Sequence, residues 1–286
     1  MGWRVYSLTY ELQSPLHIGY HKVGNVQRTR YYVPARNLWA ACTERLVRSG
    51  FSVSGAPAGD YQRIGQWLRE HCAFTYFFVA GEESLCFPNH TSTGLCYGKL
   101  PTAEFERRFV RPYVATALEA VSASAANDSL HEVELVVAST GLGSRTTLRG
   151  WCFLDERGLS ELGGERWHAR LSELQIGGER RYGFGCLRLV AEPSQTKSIE
   201  EYVVTVSGRR PTIRVEGEKP LLAHTPALEL NARGMLEPLV GRETTESSRF
   251  GQKLTRAVMY WAPGAVCEDA QEFSIGANGT WEVIRS

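Results

Sequence analysis

The chain opens on an alternation of apolar and polar positions. Tyr6, Leu8, Tyr10 and Leu12 share one face of residues 3–12, and Ser7, Thr9 and Glu11 the other. That is the period of a half-buried strand. Ser14-Pro15 ends it, and a loop runs from His17 to Arg30. Pro34 then stands where a first helical residue is favoured, and Leu38, Ala41, Cys42, Arg45 and Leu46 recur at helical spacing until Gly50. After a Gly/Pro/Ala linker, Asp60 is placed to cap a second helix with Tyr61, Ile64, Trp67, Leu68 and His71 on its buried face. Residues 73–79 are aromatic and β-prone, a central strand.

Residues 81–130 lack a clear period and read as an irregular insertion. They hold one aromatic-basic cluster: Phe105, Arg107, Arg108, Phe109, Arg111 and Tyr113. Such interleaving suits single-stranded nucleic acid, and equally an amphipathic segment that packs its aromatics on the core. Alternation returns over 131–138, with Val133, Leu135 and Val137 inward, and residues 151–154 form another strand. A helix is expected over 159–176, with Leu171, Leu174 and Ile176 apolar. It leads through Gly177-Gly178-Glu179-Arg180-Arg181-Tyr182-Gly183-Phe184-Gly185 into a last strand reaching Val190.

Up to residue 192 the order is strand–helix–strand twice, the split βαβ plan of an α+β, ferredoxin-like (RRM-like) core with an insertion at about 81–130. Residues 192–196 mark a boundary. Residues 193–286 read as a β-rich extension or second small domain, with a hairpin pairing 202–206 with 212–216 across Ser207-Gly208-Arg209-Arg210. A short helix near 250–260 and a sheet-closing strand at 281–284 complete it.

Charge narrows the chemistry. Of 286 residues, 32 are Lys or Arg and 31 Asp or Glu, a formal net charge of +1. A nucleic-acid surface must therefore be a local patch. No acid lies between Glu11 and Glu44, an interval holding Lys22, Arg28, Arg30 and Arg36. That basic loop leading into a helix N-terminus suits a phosphate track; a solvated loop with acidic partners elsewhere in the fold would look the same. Residues 140–150 form a second acid-free, Gly-rich loop carrying Arg145 and Arg149. In the central Gly-rich stretch, main-chain amides and Arg180 and Arg181 suit a phosphate, while Tyr182 and Phe184 offer faces to a base. A tight turn with ordinary surface arginines is the plainer alternative.

The 7 cysteines are scattered with no C-x-x-C pair. This points to a reducing cytoplasm rather than a disulfide framework or zinc site, and no metal or other cofactor is expected. No apolar run reaches membrane-spanning length, and no membrane partner is expected.

Three motifs together resemble a known family. Ser14-Pro15-Leu16-His17-Ile18-Gly19 follows the first strand, Tyr32-Val33-Pro34-Ala35-Arg36-Asn37-Leu38 opens the first helix, and the stretch from Ile176 to Gly185 precedes the last core strand. This resembles the RAMP superfamily of CRISPR systems, closest to the type III (Csm/Cmr-like) effector subunits, over roughly residues 1–190. The resemblance implies a CRISPR RNA-binding subunit of a multi-subunit interference complex in antiviral defence. Its expected partners are CRISPR RNA, other effector subunits and target RNA. The RNA-binding residues it points to are Lys22, Arg28, Arg30, Arg36, Arg145, Arg149, Gly177, Gly178, Arg180, Arg181, Tyr182, Gly183, Phe184 and Gly185. Slicing subunits of such complexes carry an Asp after the first strand. The acid-free interval removes every such carboxylate, so a metal-assisted cut is not expected there. The alternative within the same superfamily is a metal-independent endoribonuclease cleaving repeat RNA, with His17 or His21 as general base.

Overall fold

The computed structural model describes residues 2–53, 59–82, 84–119, 124, 129–141, 143–243 and 253–284. It is a mixed α/β fold built on antiparallel sheets. The strand β1 (Trp3–Leu12) has the expected alternation, with Tyr6, Leu8, Tyr10 and Leu12 buried. Its other face is buried at Trp3 and Val5 as well, because later parts of the chain cover that end. A hairpin, β2 (Gly19–Val23) and β3 (Val26–Thr29), occupies the stretch expected to be a loop. β4 (Tyr32–Val33) precedes helix α1 (Ala35–Arg48), whose N-cap is Pro34.

Helix α2 (Tyr61–His71) begins at Asp60, whose carboxylate accepts from the Arg63 amide at 3.0 Å. The two helices close on each other through Gly65: Trp39 Nε1 donates to its carbonyl, and a Cβ there would meet the Trp39 ring at 2.8 Å. The linker at 54–58 lies outside the described residues.

The central strand expected over 73–79 is two pieces, β5 (Cys72–Phe74) and β6 (Phe77–Val79). At the break the Thr75 amide donates to the Trp151 carbonyl, and the Thr75 hydroxyl accepts from the Trp151 amide, both at 2.9 Å. A side chain thus replaces one rung of the ladder, which polar Thr can do and its aromatic neighbours cannot. The 81–130 segment is also more regular than its composition implies. β7 (Pro88–Thr91), β8 (Gly94–Tyr97) and β9 (Leu100–Pro101) form a small sheet, and α3 (Thr102–Phe109) buries Phe105 and Phe109. β10 (Val110–Ala115) then pairs with β11 (His131–Val136), which runs parallel to β3. In β11 the buried residues are Val133, Leu135 and Val136, so the inward set shifts from Val137 to Val136 at the strand end.

β12 (Thr147–Asp155) pairs with β1 along nearly its whole length. The helix expected over 159–176 is not formed. α4 (Glu156–Leu162), capped by Asp155, stops at Gly163, where Gly163 and Gly164 both have positive φ, 117° and 64°. A left-handed glycine is a helix terminator. A 3-10 segment, Gly164–Leu171, follows, and then β13 (Glu173–Gln175). Leu174 and Ile176 are therefore inward positions of extended chain, with period 2. The Gly-rich stretch joins β13 to β14 (Cys186–Leu189) as a hairpin connection rather than leading out of a helix.

The main sheet has the order β13-β14-β1-β12-β6-β4. Of the five strands expected up to residue 190, those at 3–12, 73–79, 151–154 and 186–190 supply β1, β6, β12 and β14 of this sheet, whereas the one at 131–138 is β11 of the separate sheet β10-β11-β3-β2.

β15 (Ser194–Thr196) also pairs with β1, so the main sheet continues past the expected boundary. Beyond it, β16 (Ser198–Ile199), β17 (Tyr202–Thr205) and β18 (Thr212–Val215) include the expected hairpin. β19 (Thr225–Pro226), β20 (Ala232–Arg233), β21 (Leu236–Leu239), β22 (Arg242–Glu243), β23 (Lys253–Leu254) and β24 (Val258–Trp261) follow. The short helix expected near 250–260 is instead β23 and β24, residues 250–252 lying outside the described residues. β25 (Val266–Cys267), β26 (Gln271–Ile275) and β27 (Trp281–Val283) finish the chain, β27 closing the five-stranded sheet β16-β17-β18-β26-β27. Among the described residues no helix is long and apolar enough to cross a membrane.

Candidate nucleic-acid interface

The Gly-rich connection has an inner and an outer side. On the inner side Gly178 donates its amide to the His17 carbonyl, and Gly185 donates to the Pro15 carbonyl, each at 2.8 Å. Gly177 and Gly185 cannot carry a side chain here. At Gly177 (φ 83°) a Cβ would lie 2.2 Å from the His17 carbonyl oxygen, and at Gly185 (φ 77°) 1.8 Å from that of Ile176. The Ser14-to-Gly19 motif and the Gly-rich motif are thus two halves of one joint, sealed further by Ser14 Oγ accepting from the Cys186 amide. These glycines serve close backbone approach within the protein.

The outer side is open. Gly183 (φ 82°) has nothing near its virtual Cβ. The amides of Glu179, Arg180 and Arg181 donate to no protein acceptor among the described residues. Arg181 is exposed and has no ion-pair partner among them, whereas Arg180 reaches back to Glu44 at 2.6 Å. Tyr182 is 61% exposed, and its ring lies 6.3 Å from Phe184.

A third ring arrives from the insertion: Tyr113 on β10 is 39% exposed, with its ring 5.4 Å from Phe184 and 6.5 Å from Tyr182. Of the 105–113 cluster only Tyr113 reaches this surface. Phe105 and Phe109 are core, Arg107 and Arg108 pair with Glu104 and Glu82, and Arg111 is tied to the Arg107 and Val110 carbonyls. Tyr113 could have been picked out in sequence only by extending the outward period of β10.

The other cations divide by exposure. Lys22 is exposed on β2 and Arg145 is exposed near the 140–150 loop, while Arg149 is half-buried on β12 opposite Thr9. Arg28 bonds Glu134 and the Tyr31 hydroxyl, and its guanidinium is 3.6 Å from Glu106. Arg36 lines a polar cavity of about 480 Å³ with Asn37, Arg256 and Asn278, and packs on Gly241. Arg30 is committed inward. It makes two bonds to Glu237, at 2.8 and 2.9 Å, and one to the Tyr32 hydroxyl.

Glu237 in turn bonds buried His224, whose other ring nitrogen meets the Tyr76 hydroxyl at 2.7 Å. Burial alone would raise the Glu237 carboxyl; the bonds from His224 and Arg30 override it and hold the group down to about 2. Burial pushes His224 below the usual imidazole range against the pull of Glu237. Two cations of the basic loop thus meet carboxylates far along the chain, Arg30 at Glu237 in the last third and Arg28 at Glu134, which is the alternative reading of that loop.

The two histidines do not share a site. His17 is buried under Gly178, its Nδ1 at 2.9 Å from the Glu134 carbonyl. His21 is exposed on β2, edge-on to Tyr20, with ring centroids 4.2 Å apart. Among the described residues no group of three or more His, Cys, Asp and Glu is placed to hold a metal ion.

No protein-family model matches the sequence, and no curated protein matches it. Among solved structures, the fold is similar to a chain of the Type III-B Cmr-beta complex bound to cognate target RNA and AMPPnP. That likeness has a TM-score of 0.55 at 10% identity and covers 93% of this chain and 86% of that one. A chain of the same complex bound to cognate target RNA gives a TM-score of 0.54 at 11% identity over 92% and 86%. At this identity what is shared is the fold alone. The resemblance carried by the three sequence motifs leads to the same place, and the structural likeness extends beyond residue 190.

Proposed function

We propose that the chain is a non-catalytic, CRISPR RNA-binding subunit of a type III-like interference complex. It has a ferredoxin-like RAMP core in residues 1–192 and a β-rich extension in 193–286. The strand order β14-β1-β12-β6 supports the core assignment. One observation carries the RNA reading: the outer rim of the Gly-rich connection gathers Arg181 and main-chain amides, which have no partner among the described residues, with three neighbouring rings, Tyr113, Tyr182 and Phe184. Amides and a guanidinium bind phosphate, and exposed rings stack bases without reading sequence. The burial of His17 and its bond to the Glu134 carbonyl favour binding over cleavage.

Partners in this reading are CRISPR RNA, neighbouring effector subunits and target RNA. The test is the affinity of the assembled complex for RNA across a salt series. Arg181→Ala should weaken binding evenly across sequences and lower the salt slope by about 1. Arg180→Ala should do less, because Glu44 already holds that guanidinium. Unchanged affinity and slope in Arg181→Ala/Tyr182→Ala would overturn the reading.

A further inference from the structure

Away from the Gly-rich rim, three separate parts of the chain enclose a slot of about 280 Å³. One side comes from the β2–β3 hairpin and the residues after it, with Tyr20, His21, Arg28 and Tyr31. A second comes from the insertion, with His90, Leu95, Tyr97 and Glu106. Met235 and Pro263 of the last third close it. Its volume lies just below the roughly 300–1,000 Å³ typical of small-molecule sites. One flat ring system fits there; a folded chain segment does not.

The walls are aromatic. Tyr31 and Tyr97 meet edge to face with centroids 5.3 Å apart, and both are anchored on Phe105. Tyr20 also lines the slot, with the Arg30 guanidinium over its ring, 4.5 Å from the centroid.

The polar groups decide what the ring must offer. Arg30 is taken by Glu237, and Arg28 is held by Glu134, which stands outside the lining, and lies 3.6 Å from Glu106. One Glu106 oxygen accepts from the Tyr31 hydroxyl at 2.7 Å; the other has no hydrogen-bond donor among the described residues. The Glu106 side chain is 38% exposed. That second Glu106 oxygen asks for a donor. An apolar side chain from a protein partner would leave that carboxylate facing hydrocarbon. A planar ring with adjacent N–H donors satisfies walls and carboxylate together, and among the nucleobases guanine presents that edge. Adenine puts an acceptor at the matching ring nitrogen.

We propose that this slot takes a guanine base turned out of single-stranded RNA, stacked among Tyr20, Tyr31 and Tyr97 with its amino and imino edge on Glu106. Extruded bases are read in this way, by stacking between aromatic side chains and hydrogen bonds to the Watson–Crick edge. The proposal rests on the RNA-binding reading above but uses different residues, so the two can fail separately.

The experiment compares three short oligouridine RNAs carrying one central guanosine, inosine or adenosine, bound to the full-length protein and followed by fluorescence polarisation. Titration with free GMP separates a base held in a strand from a free nucleotide. Guanosine RNA should bind at least about tenfold tighter than adenosine RNA, a modest share of what a good two-point base contact supplies. Inosine, lacking the amino group, should fall between them. Glu106→Gln should remove the preference while leaving the salt slope unchanged. Leu95→Trp, which fills the slot from a half-buried position, should do the same without touching the carboxylate.

Melting curves of both variants confirm folding, and loss of the preference in either folded variant supports the site. Equal binding of the three RNAs with a normal salt slope would overturn the slot and leave the Gly-rich rim standing. GMP binding that competes with no RNA would assign the slot to a free nucleotide and overturn the proposal as stated. Release of a protein subunit, rather than RNA, from Leu95→Trp complexes would overturn it in favour of a protein partner.

Discussion

Gly185 and Gly183 stand two residues apart with nearly the same backbone, φ 77° and 82°, yet they answer to different constraints. A methyl group on Gly183 meets open space; one on Gly185 meets the Ile176 carbonyl at 1.8 Å. Gly183→Ala should therefore cost only the positive-φ strain, about 1 kcal/mol, whereas Gly185→Ala adds a clash that must open the Ser14–Gly19 joint. In denaturant unfolding, Gly185→Ala should lie clearly below Gly183→Ala. Equal midpoints would mean the joint yields. The glycines were visible in the sequence as one cluster. Their division into inner hinges and an outer rim was not, because it depends on residues 14–17 lying across the sheet. Among the arginines a long stretch of sequence likewise separates Arg180 from Glu44 and Arg30 from Glu237.

Elements whose signals are local matched expectation most closely. The period of β1, the hairpin of β17 with β18 and the start of α2 each rest on residues a few positions apart. Asp60→Ala tests the last of these: loss of the cap should cost about 1 kcal/mol. In a chain of this size that lowers the melting temperature by about 2–4 °C. No change in a thermal scan would mean that water or a neighbouring side chain replaces the cap. Elements misjudged from sequence failed for an equally local reason. Leu171 and Leu174 stand at helical spacing and Leu174 and Ile176 at extended spacing, and only the paired glycines at 163 and 164 settle the matter by ending α4. The insertion hid short strands that have little pattern of their own and are held by their neighbours.

For the whole molecule, the buried set of Arg30, Glu237, His224, Tyr32 and Tyr76 ties the first strands to the last third. Both titrating members act in the same direction with pH. On acidification the unfolded imidazole takes its proton near 6.5 before folded His224 does. The unfolded carboxylate takes its proton near 4.5, before Glu237, which is held down to about 2. In each case the unfolded state binds more protons, so stability falls as pH falls. The Glu237 share, about 3 kcal/mol, is present above pH 4.5 and is lost progressively as pH drops through about 2. Urea midpoints at pH 7, 5.5, 4 and 3 should fall stepwise, and Glu237→Gln should flatten the lower steps. A profile unchanged by Glu237→Gln would remove the network from the acid response. A division of the chain near residue 192 must accommodate β15, which adds to the sheet of β1, and the Trp3 amide, which donates to the Val206 carbonyl at 2.9 Å.

Residue order settled whatever depends on near neighbours: the alternation that makes β1 a strand, the cap of α2, the glycines that let a connection turn tightly, and the acid-free interval. Folding decided which charges and rings remain available. A guanidinium is free or spent according to whether a carboxylate far along the chain is carried to it. Three rings make a platform only where separate hairpins meet. Short-range sterics and hydrogen bonds are written into consecutive residues, whereas burial, ion pairing and the edges of a cavity belong to segments that meet only in the folded chain.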